Sequence, residues 1–141
     1  MQENLKIVID TFENKIPANK LLGLKVLKLE EGFVKIHIPY KEEFIGDFRQ
    51  KRWHGGIQAA ITDSAAGIVA FANMRDLSSS VNTIDMRIDY LHGSEPKDFF
   101  AEAKIIKIGK RILIVDIELY HEKTKTIAIA RCSLSVLSKN K

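Results

Sequence analysis

The sequence predicts an α+β fold in which an antiparallel sheet of about six strands curls around one central, buried helix, with a further helix at the N-terminus. Three observations predict this arrangement. Two segments in the first third of the chain alternate apolar and polar residues, which is typical of half-buried strands. Residues 55–73 lack this alternation and are rich in alanine, which favours a helix. From residue 81 onward the pattern is again one of strands joined by short turns.

The N-terminal segment predicts an amphipathic helix over residues 3–15. Apolar side chains recur there at helical spacing, namely Leu5, Val8, Ile9, Phe12 and Ile16. Pro17 and Gly23 predict where this helix ends.

Six segments are predicted as strands, and their turns indicate which of them are antiparallel neighbours. They are residues 24–29, 34–38, 81–91, 98–108, 111–121 and 126–137. Glu30, Glu31 and Gly32 predict a hairpin between the first two, and Gly109 with Lys110 predicts another. The polar stretch 39–53 predicts a loop.

Residues 55–73 form the most apolar segment of the chain. Their side chains are apolar nearly all round, which predicts a helix buried inside the fold rather than one lying on its surface. Its many alanines and glycines would allow neighbouring elements to approach closely.

The length of the chain predicts a single domain over residues 1–141, and its single cysteine is consistent with a reducing compartment. Hydrophobic residues make up 45% and charged residues 28% of the chain, which is enough for a packed core. The charged N-terminus has no signal-peptide pattern, no stretch approaches the roughly 20 apolar residues of a membrane helix, and Cys132 is the only cysteine. We therefore expect a cytoplasmic protein without membrane insertion.

The net charge of +4 makes an anionic partner plausible. The basic residues are nevertheless interleaved with 18 acidic ones and form no stripe, so we expect no nucleic-acid binding. His37, His92 and His121 lack the spacing of metal ligands, so we expect no metal and no cofactor.

The segment most informative about chemistry is Trp53, His54, Gly55 and Gly56, which leads into the predicted central helix. Two glycines at a helix start let a ligand approach backbone N–H groups that lack partners within the helix. The helix dipole adds partial positive charge there, which suits a carbonyl oxygen gaining negative charge. A purely structural role in capping and packing is the alternative.

Asp63 is the one ionisable residue in the apolar helix segment. A carboxylate there is costly unless it is paired or functional, and it could accept a proton from water. Thr62 and Ser64 beside it could instead satisfy it structurally. Gly55 and Asp63 are eight residues apart, about 12 Å along a helix, so they cannot both touch one carbonyl group. If they cooperate, the aspartate comes from a second copy of the chain.

The sequence resembles the hotdog-fold acyl-CoA thioesterases of the phenylacetate-degradation type over about residues 20–138. The resemblance rests on His54, Gly55 and Gly56 followed by Asp63, and on segments 44–47, 83–91, 101–104 and 108–111. It implies a hotdog fold, an acyl-CoA substrate, and a homodimer or a dimer of dimers.

The resemblance also implies catalytic roles. The Gly55 N–H, with Gly56, would polarise the thioester carbonyl, and Asp63 of the partner subunit would act as general base or as nucleophile. Thr83 would help to hold the attacking water, and His54 would orient the loop and the carbonyl group. Strand alternation, however, places Thr83 on the face opposite Ile84, Met86, Ile88 and Tyr90.

Candidates for substrate contact are Asp47, Trp53, Gly56, Ser64, Lys110 and Arg111. Asp47 would be a polar neighbour of the thioester. Lys110 and Arg111, with Arg131, would meet the phosphates of CoA, for which Arg49, Lys51 and Arg52 are rivals. The aromatic residues that could line either an aromatic or a medium-chain acyl pocket are Trp53, Phe44, Phe71 and Tyr90.

Two other functions fit the same fold. One is a non-catalytic acyl-CoA-binding or regulatory protein, which the presence of Asp63, Thr83 and the glycines disfavours. The other is a hydratase or dehydratase, for which Asp63 lacks a neighbouring histidine in the sequence.

Overall fold

A computed structural model describes residues 2–74 and 78–137; the rest of the range 1–141, predicted as one domain, lies outside these residues. The helices are α1 (Gln2–Asp10), α2 (Pro17–Leu22) and α3 (Gly55–Ala72). The strands are β1 (Lys25–Glu30), β2 (Phe33–Ile38), β3 (Ile45–Asp47), β4 (Arg52–Trp53), β5 (Ser80–Tyr90), β6 (Phe99–Ile108), β7 (Ile112–Glu122) and β8 (Lys125–Leu137).

Six strands form one antiparallel sheet in the order β1-β2-β6-β7-β8-β5, so β1 and β5 lie at its edges. All six segments predicted as strands are present, and α3 packs across the inner face of the sheet. Both predicted hairpins occur, because β1 pairs with β2 and β6 pairs with β7 in antiparallel register. The α+β prediction is confirmed.

The N-terminal arm, defined as residues 2–22, differs from the single helix predicted over 3–15. α1 ends at Asp10, and a π-helical turn follows over Thr11–Lys15. Pro17 does not simply end the helix; it opens α2, because proline is well suited to the first turn, where its missing N–H has no partner to lose. Gly23 ends α2 in the left-handed conformation with φ 71°.

α3 is buried on one side only. Its buried side chains are Gln58, Ile61, Thr62, Ala65, Ala66, Ile68, Val69 and Ala70. Ala60 and Asp63 are exposed, so the prediction of a helix buried all round is wrong for the single chain. The apolar composition alone did not identify the exposed side of the helix, because exposing an alanine side chain to water costs little free energy.

By length and composition α3 is also the one helix of the described residues that could cross a membrane, contrary to the expectation that no segment would qualify. Its buried face packs against the sheet and contributes to the core, as in the core helix of a globular fold.

The stretch predicted as a loop over 39–53 contains a 3₁₀ turn (Glu42–Phe44) and the two-stranded ribbon β3–β4. An aromatic cluster anchors its end: Trp53 lies 4.7 Å from Phe99, which stacks on His121 at 4.1 Å between ring centroids. Burial lowers the pKa of His121, whose ring is also held by the backbone N–H of Glu95 and the carbonyl of Asp98. This cluster fixes the position of the residue that precedes α3.

Two glycines with positive φ offer a matched test of how tightly the arm is joined to the sheet. A methyl group on Gly23 would lie 2.9 Å from Pro39 Cγ, whereas one on Gly32 would meet nothing within 4 Å. Gly32→Ala should cost about 1–2 kcal/mol from backbone strain alone. Gly23→Ala should cost about 1–3 kcal/mol more, because a packed neighbour must move.

The measurement is urea unfolding of both variants and the wild type at one protein concentration. An equal loss of unfolding free energy in the two variants would show that Pro39 moves at little cost and that the arm packs only loosely against it.

Candidate active site

The N-terminus of α3 is capped by the side chain of His54. Its Nδ1 accepts a hydrogen bond from the Gly56 N–H at 2.9 Å, and His54 itself is extended, with φ −60° and ψ 129°. The first N–H groups of a helix have no acceptors within it. The Gly56 N–H is bonded to the His54 side chain, and the N–H groups of Ile57 and Gln58 are bonded to the His54 carbonyl. Among the first donors of the helix, this leaves the Gly55 N–H to meet a ligand.

The first peptide of α3 is further held by Tyr90 at the end of β5. The Tyr90 hydroxyl donates to the Gly55 carbonyl at 2.6 Å, and a methyl group on Gly55 would lie 3.3 Å from the same hydroxyl. Burial raises the pKa of Tyr90, which keeps it a donor. Sequence reasoning placed Tyr90 only among pocket-lining aromatics, because strand spacing carries no sign of a contact with the helix start.

The β3–β4 ribbon supports His54 from the other side. The His54 N–H donates to the Phe44 carbonyl at 2.8 Å, and a methyl group on Gly46 would lie 2.7 Å from His54 Cα. Asp47 follows on the same strand and accepts the N–H groups of Arg49 and Gln50 through Oδ1. In the single chain Asp47 therefore caps a turn, and its predicted contact with a thioester stays a prediction.

Asp63 lies halfway along α3 and is held by Thr83 of β5. The Thr83 hydroxyl donates to Asp63 Oδ1 at 2.7 Å, and both residues are exposed in the single chain. The expectation that Asp63 is buried is therefore wrong here. Its sequence neighbours do not satisfy it: Thr62 Oγ1 donates to the Ala59 carbonyl, and Ser64 points elsewhere.

A β-bulge accounts for the orientation of Thr83, which simple alternation put on the wrong face. Thr83 pairs with Leu134 and Asp85 with Ser133, so Ile84 is an extra residue on β5. Because of this bulge, Thr83 and Met86 lie on the same, helix-facing side of β5, whereas Ile84 is 57% exposed. One inserted residue moves the hydroxyl to the face where Asp63 lies.

Ser64 joins α3 to the N-terminal arm. Its hydroxyl donates to Asn19 Oδ1 at 2.8 Å, and Asn19 Nδ2 donates to the Phe12 carbonyl at 3.0 Å. Asn19 is only 3% exposed, so these bonds satisfy a buried amide. The residue next to Asp63 is thus tied to the arm.

Asp63, Ser64 and Thr83 also line a cavity of about 490 Å³ between the arm, α3 and β5. The predicted site residues Gly55 and Asp63 remain apart: α3 is continuous between them, and eight residues at about 1.5 Å each separate them by about 12 Å.

Trp53, predicted to contact substrate, is 3% exposed. Its indole N–H donates to the Lys97 carbonyl at 3.0 Å, and its backbone N–H donates to Ser94 Oγ at 2.8 Å, so neither donor is free for a substrate. Trp53 therefore packs against the segment that contains Ser94 and Lys97 and supports the neighbouring His54. Its ring offers almost no surface to a ligand.

The predicted phosphate contacts fall in different places. Lys110 and Arg111 are exposed on the β6–β7 hairpin. The Arg111 carbonyl accepts the N–H of Val136 on β8, which in turn pairs with Val81 near the start of β5. Arg131 is committed to Asp116 through two hydrogen bonds of 2.6 and 2.8 Å. Lys110 and Arg111 therefore remain available, whereas Arg131 already has a partner.

Cys132 lies on β8 beneath Asp63 and Thr83 and is fully buried. Burial, and then the charge of Asp63, raise the pKa of its thiol to about 11. Cys132 therefore packs as a small apolar residue, as the sequence predicted.

Comparison with known proteins identifies the class to which this fold and site belong. A family model for the Thioesterase superfamily matches residues 50–128, which include the helix start, Asp63 and Thr83. This is more than half of the chain, and the chain belongs to the thioesterase superfamily. Its six-stranded sheet wrapped around α3 is the hotdog fold expected from the sequence.

Individual relatives agree with this assignment. The medium/long-chain acyl-CoA thioesterase YigI of Salmonella typhimurium is 28% identical over 147 residues, covering 96% of this chain and 95% of the relative. A crystal structure of a Shewanella oneidensis protein related to the thioesterase superfamily superposes with a TM-score of 0.85 at 29% identity, covering 95% of each chain. The PaaI protein of the E. coli phenylacetic acid degradation operon shares the fold, with a TM-score of 0.84 at 19% identity over 96% of this chain and 95% of its own.

The cap at His54 predicts a graded effect on stability. His54→Ala should cost about 1 kcal/mol, because the Gly56 N–H loses its acceptor, whereas His54→Asn should stay within a few tenths because asparagine caps helices well. Thermal unfolding at a fixed protein concentration measures both. An alanine variant as stable as the asparagine variant would mean that the cap contributes nothing.

The raised pKa of Cys132 predicts an inert thiol. At pH 8 about one thiol in a thousand is ionised, and burial also blocks the reagent. Native protein should react with 5,5′-dithiobis(2-nitrobenzoate) at least about a hundredfold more slowly than protein unfolded in guanidinium. Rapid reaction of the native protein would show that β8 opens readily beneath Asp63.

Proposed function

We propose that this chain is an acyl-CoA thioesterase that hydrolyses a thioester to a carboxylic acid and CoA, with residues 1–141 acting as one catalytic domain. The observation that carries the proposal is the hydrogen bond by which Thr83 presents the Asp63 carboxylate to solvent on the open side of α3. Membership of the thioesterase superfamily and the acyl-CoA activity named for the relative at 28% identity support it.

In the proposed mechanism the Gly55 N–H binds the thioester carbonyl oxygen. The partial positive charge at the start of α3 stabilises this oxygen as it becomes negative in the tetrahedral intermediate. Tyr90 holds Gly55 through its carbonyl, in the peptide that follows the donor N–H, and His54 accepts the Gly56 N–H of that peptide, so that one donor faces the substrate.

Asp63 acts on the attacking water. As the water oxygen bonds to the carbonyl carbon, Asp63 takes its proton, and collapse of the intermediate breaks the C–S bond and releases the CoA thiolate. The thiolate then takes the proton from Asp63, which yields the free thiol and the acid and restores the Asp63 carboxylate. Thr83 holds the carboxylate in place through its hydroxyl, and its proposed second role is to help orient the reacting water.

Because Gly55 and Asp63 are about 12 Å apart on one helix, the proposed site combines Gly55 of one protomer with Asp63 of its partner. β5 is the last strand in the sheet order, so within the described residues one of its edges has no strand beside it. Pairing of β5 with its copy across a two-fold axis would cover this edge and bring both helices together. The two dimers of a tetramer would then associate through other surfaces.

We propose a medium or long acyl chain on the substrate, as the name of the relative indicates. Lys110 and Arg111 are the candidates for the CoA phosphates, since they are exposed and Arg131 is occupied by Asp116. A hydratase is less well supported, because the described partner of Asp63 is the Thr83 hydroxyl and not a histidine.

Removing the proposed base should abolish turnover. Asp63→Asn should lower kcat for acyl-CoA hydrolysis by at least about a hundredfold, the scale of a lost general base, with the fold retained. Free-thiol release measures the rate and circular dichroism measures the fold. Thr83→Ser, which keeps the hydroxyl, is the matched control and should stay close to the wild type. Undiminished turnover in folded Asp63→Asn would reject the mechanism.

Gly55 offers a sharper pair of variants. Gly55→Pro removes the N–H, adds the carbons of the proline ring, and fits the first helical position, since His54 already has the extended conformation that precedes proline. It should lose about a hundredfold or more in kcat. Gly55→Ala adds only the Cβ, 3.3 Å from the Tyr90 hydroxyl, and keeps the N–H, so it should retain most of the activity.

The shared site can be tested by mixing the two inactive variants. A mixed dimer of Asp63→Asn and Gly55→Pro contains one intact site, so unfolding and refolding the variants together should restore about a quarter of the wild-type rate. If both residues acted within one chain, mixing would restore none.

A further inference from the structure

We infer that the cavity between the N-terminal arm, α3 and β5 receives the acyl chain of the substrate, and that Gly67 and Phe12 limit the chain length. This inference rests on the proposed thioesterase function and adds to it the site of the acyl tail and the residues that select it.

The cavity has the composition of an apolar ligand site. Its volume of about 490 Å³ lies within the range of roughly 300–1,000 Å³ typical of small-molecule pockets. Each of three elements contributes apolar lining: Phe12 and Ile16 from the arm, Phe71 from α3, and Val81 from β5. Phe12, Phe71 and Val81 are only partly buried, so an alkyl chain would remove further apolar surface from water.

Two polar side chains of the lining, Ser64 and Asn19, already have partners. Ser64 and Asn19 hydrogen-bond to each other, and the second polar end of Asn19 is bonded to the Phe12 carbonyl. Because these groups need nothing from a ligand, they do not disfavour an alkyl chain. The charged exception is Asp63; because Asp63 and Thr83 line the cavity and are also exposed, they mark its rim.

The position of this rim sets the direction of the substrate. A thioester carbon placed beside the water that Asp63 activates would have its alkyl chain at the mouth of the cavity. The carbonyl oxygen of the same thioester would meet Gly55 of the partner. The subunit that supplies the base therefore holds the tail, and the other holds the carbonyl group.

A larger groove exists, but it does not suit an acyl chain. It measures about 880 Å³ and lies on the outer face of the sheet, where Arg87, Asp116, Arg131 and Lys104 form a charged row. Asp63 and Thr83 are not among its lining residues. Burial of methylene groups there would desolvate the Arg131–Asp116 pair without compensation.

Gly67 lines the cavity, where a larger side chain would limit the length of acyl chain that fits. A methyl group at this position would lie 3.7 Å from Phe12 Cε1, an ordinary contact that requires no shift of the backbone. Phe12 in turn packs edge-on against Phe71, with 5.9 Å between ring centroids. Larger side chains at Gly67 would therefore fill the space between the arm and α3, and truncation of Phe12 would enlarge it.

The test is the dependence of kcat/KM on acyl length, measured by free-thiol release from straight-chain acyl-CoAs of two to eighteen carbons. The wild type should gain about fourfold per methylene until the cavity is filled. Gly67→Ala and Gly67→Val should move the optimum progressively to shorter chains and lower the ratio of long-chain to short-chain kcat/KM by about tenfold or more.

Phe12→Ala should move the optimum in the opposite direction. Ile7→Ala is the matched control, since Ile7 is an exposed apolar residue of the same arm that does not line the cavity, and it should keep the wild-type profile. Gly67→Ala adds only a tolerated methyl group and favours the helix, so it keeps the test valid if a larger change unfolds the protein.

The outcomes separate the two proposals. Hydrolysis with the same length profile in wild type and folded Gly67→Ala and Gly67→Val would overturn the acyl site while leaving the thioesterase function intact. An equal shift in Ile7→Ala would overturn it as well, because the effect would then be a general one of the arm. Absence of hydrolysis with every acyl-CoA would overturn the proposed function itself.

Discussion

The hydrogen bond between Thr83 and Asp63 joins the central helix to the edge strand of the sheet, and the remaining features of the candidate site are arranged about this contact. It holds a carboxylate on the open side of α3, whose other side is packed into the core. A second contact, from Tyr90 to Gly55, fixes the start of the same helix on the same strand. Gly55 and Asp63 are therefore both attached to one edge strand, about 12 Å apart, and the proposed mechanism bridges this separation with a second copy of the chain.

The regular parts of this fold could be predicted from the sequence because they follow from periodicity. Alternation in 24–38 and from residue 81 onward identified the six sheet strands, and the alanine-rich segment identified α3 to within a residue or so. The break of the N-terminal arm at Pro17 was harder, because proline is compatible with both the end and the first turn of a helix. The burial of α3 also needed the tertiary structure, since composition does not identify the exposed side.

The candidate site was predictable in its residue types but less so in its geometry. His54, Gly55 and Asp63 were recognisable as a pattern, whereas the cap that leaves only the Gly55 N–H available depends on a side-chain contact. The family resemblance placed Thr83 at the site, whereas alternation alone put it on the opposite face, because alternation assumes an uninterrupted strand and the bulge breaks that assumption. Trp53 looked like a ligand contact but serves as an anchor, a difference that depends on what surrounds it in space.

The extra residue at Ile84 has a consequence for how the protein behaves in a crowded solution. A flat, free strand edge can be extended by almost any other strand, which is a common route to aggregation. The bulge twists β5 locally and interrupts its ladder of donors and acceptors, so that an unrelated strand finds no continuous row to bind. A second copy of the chain carries the same irregularity at the same place, so the bulge disfavours unrelated strands more than the β5 pairing proposed above.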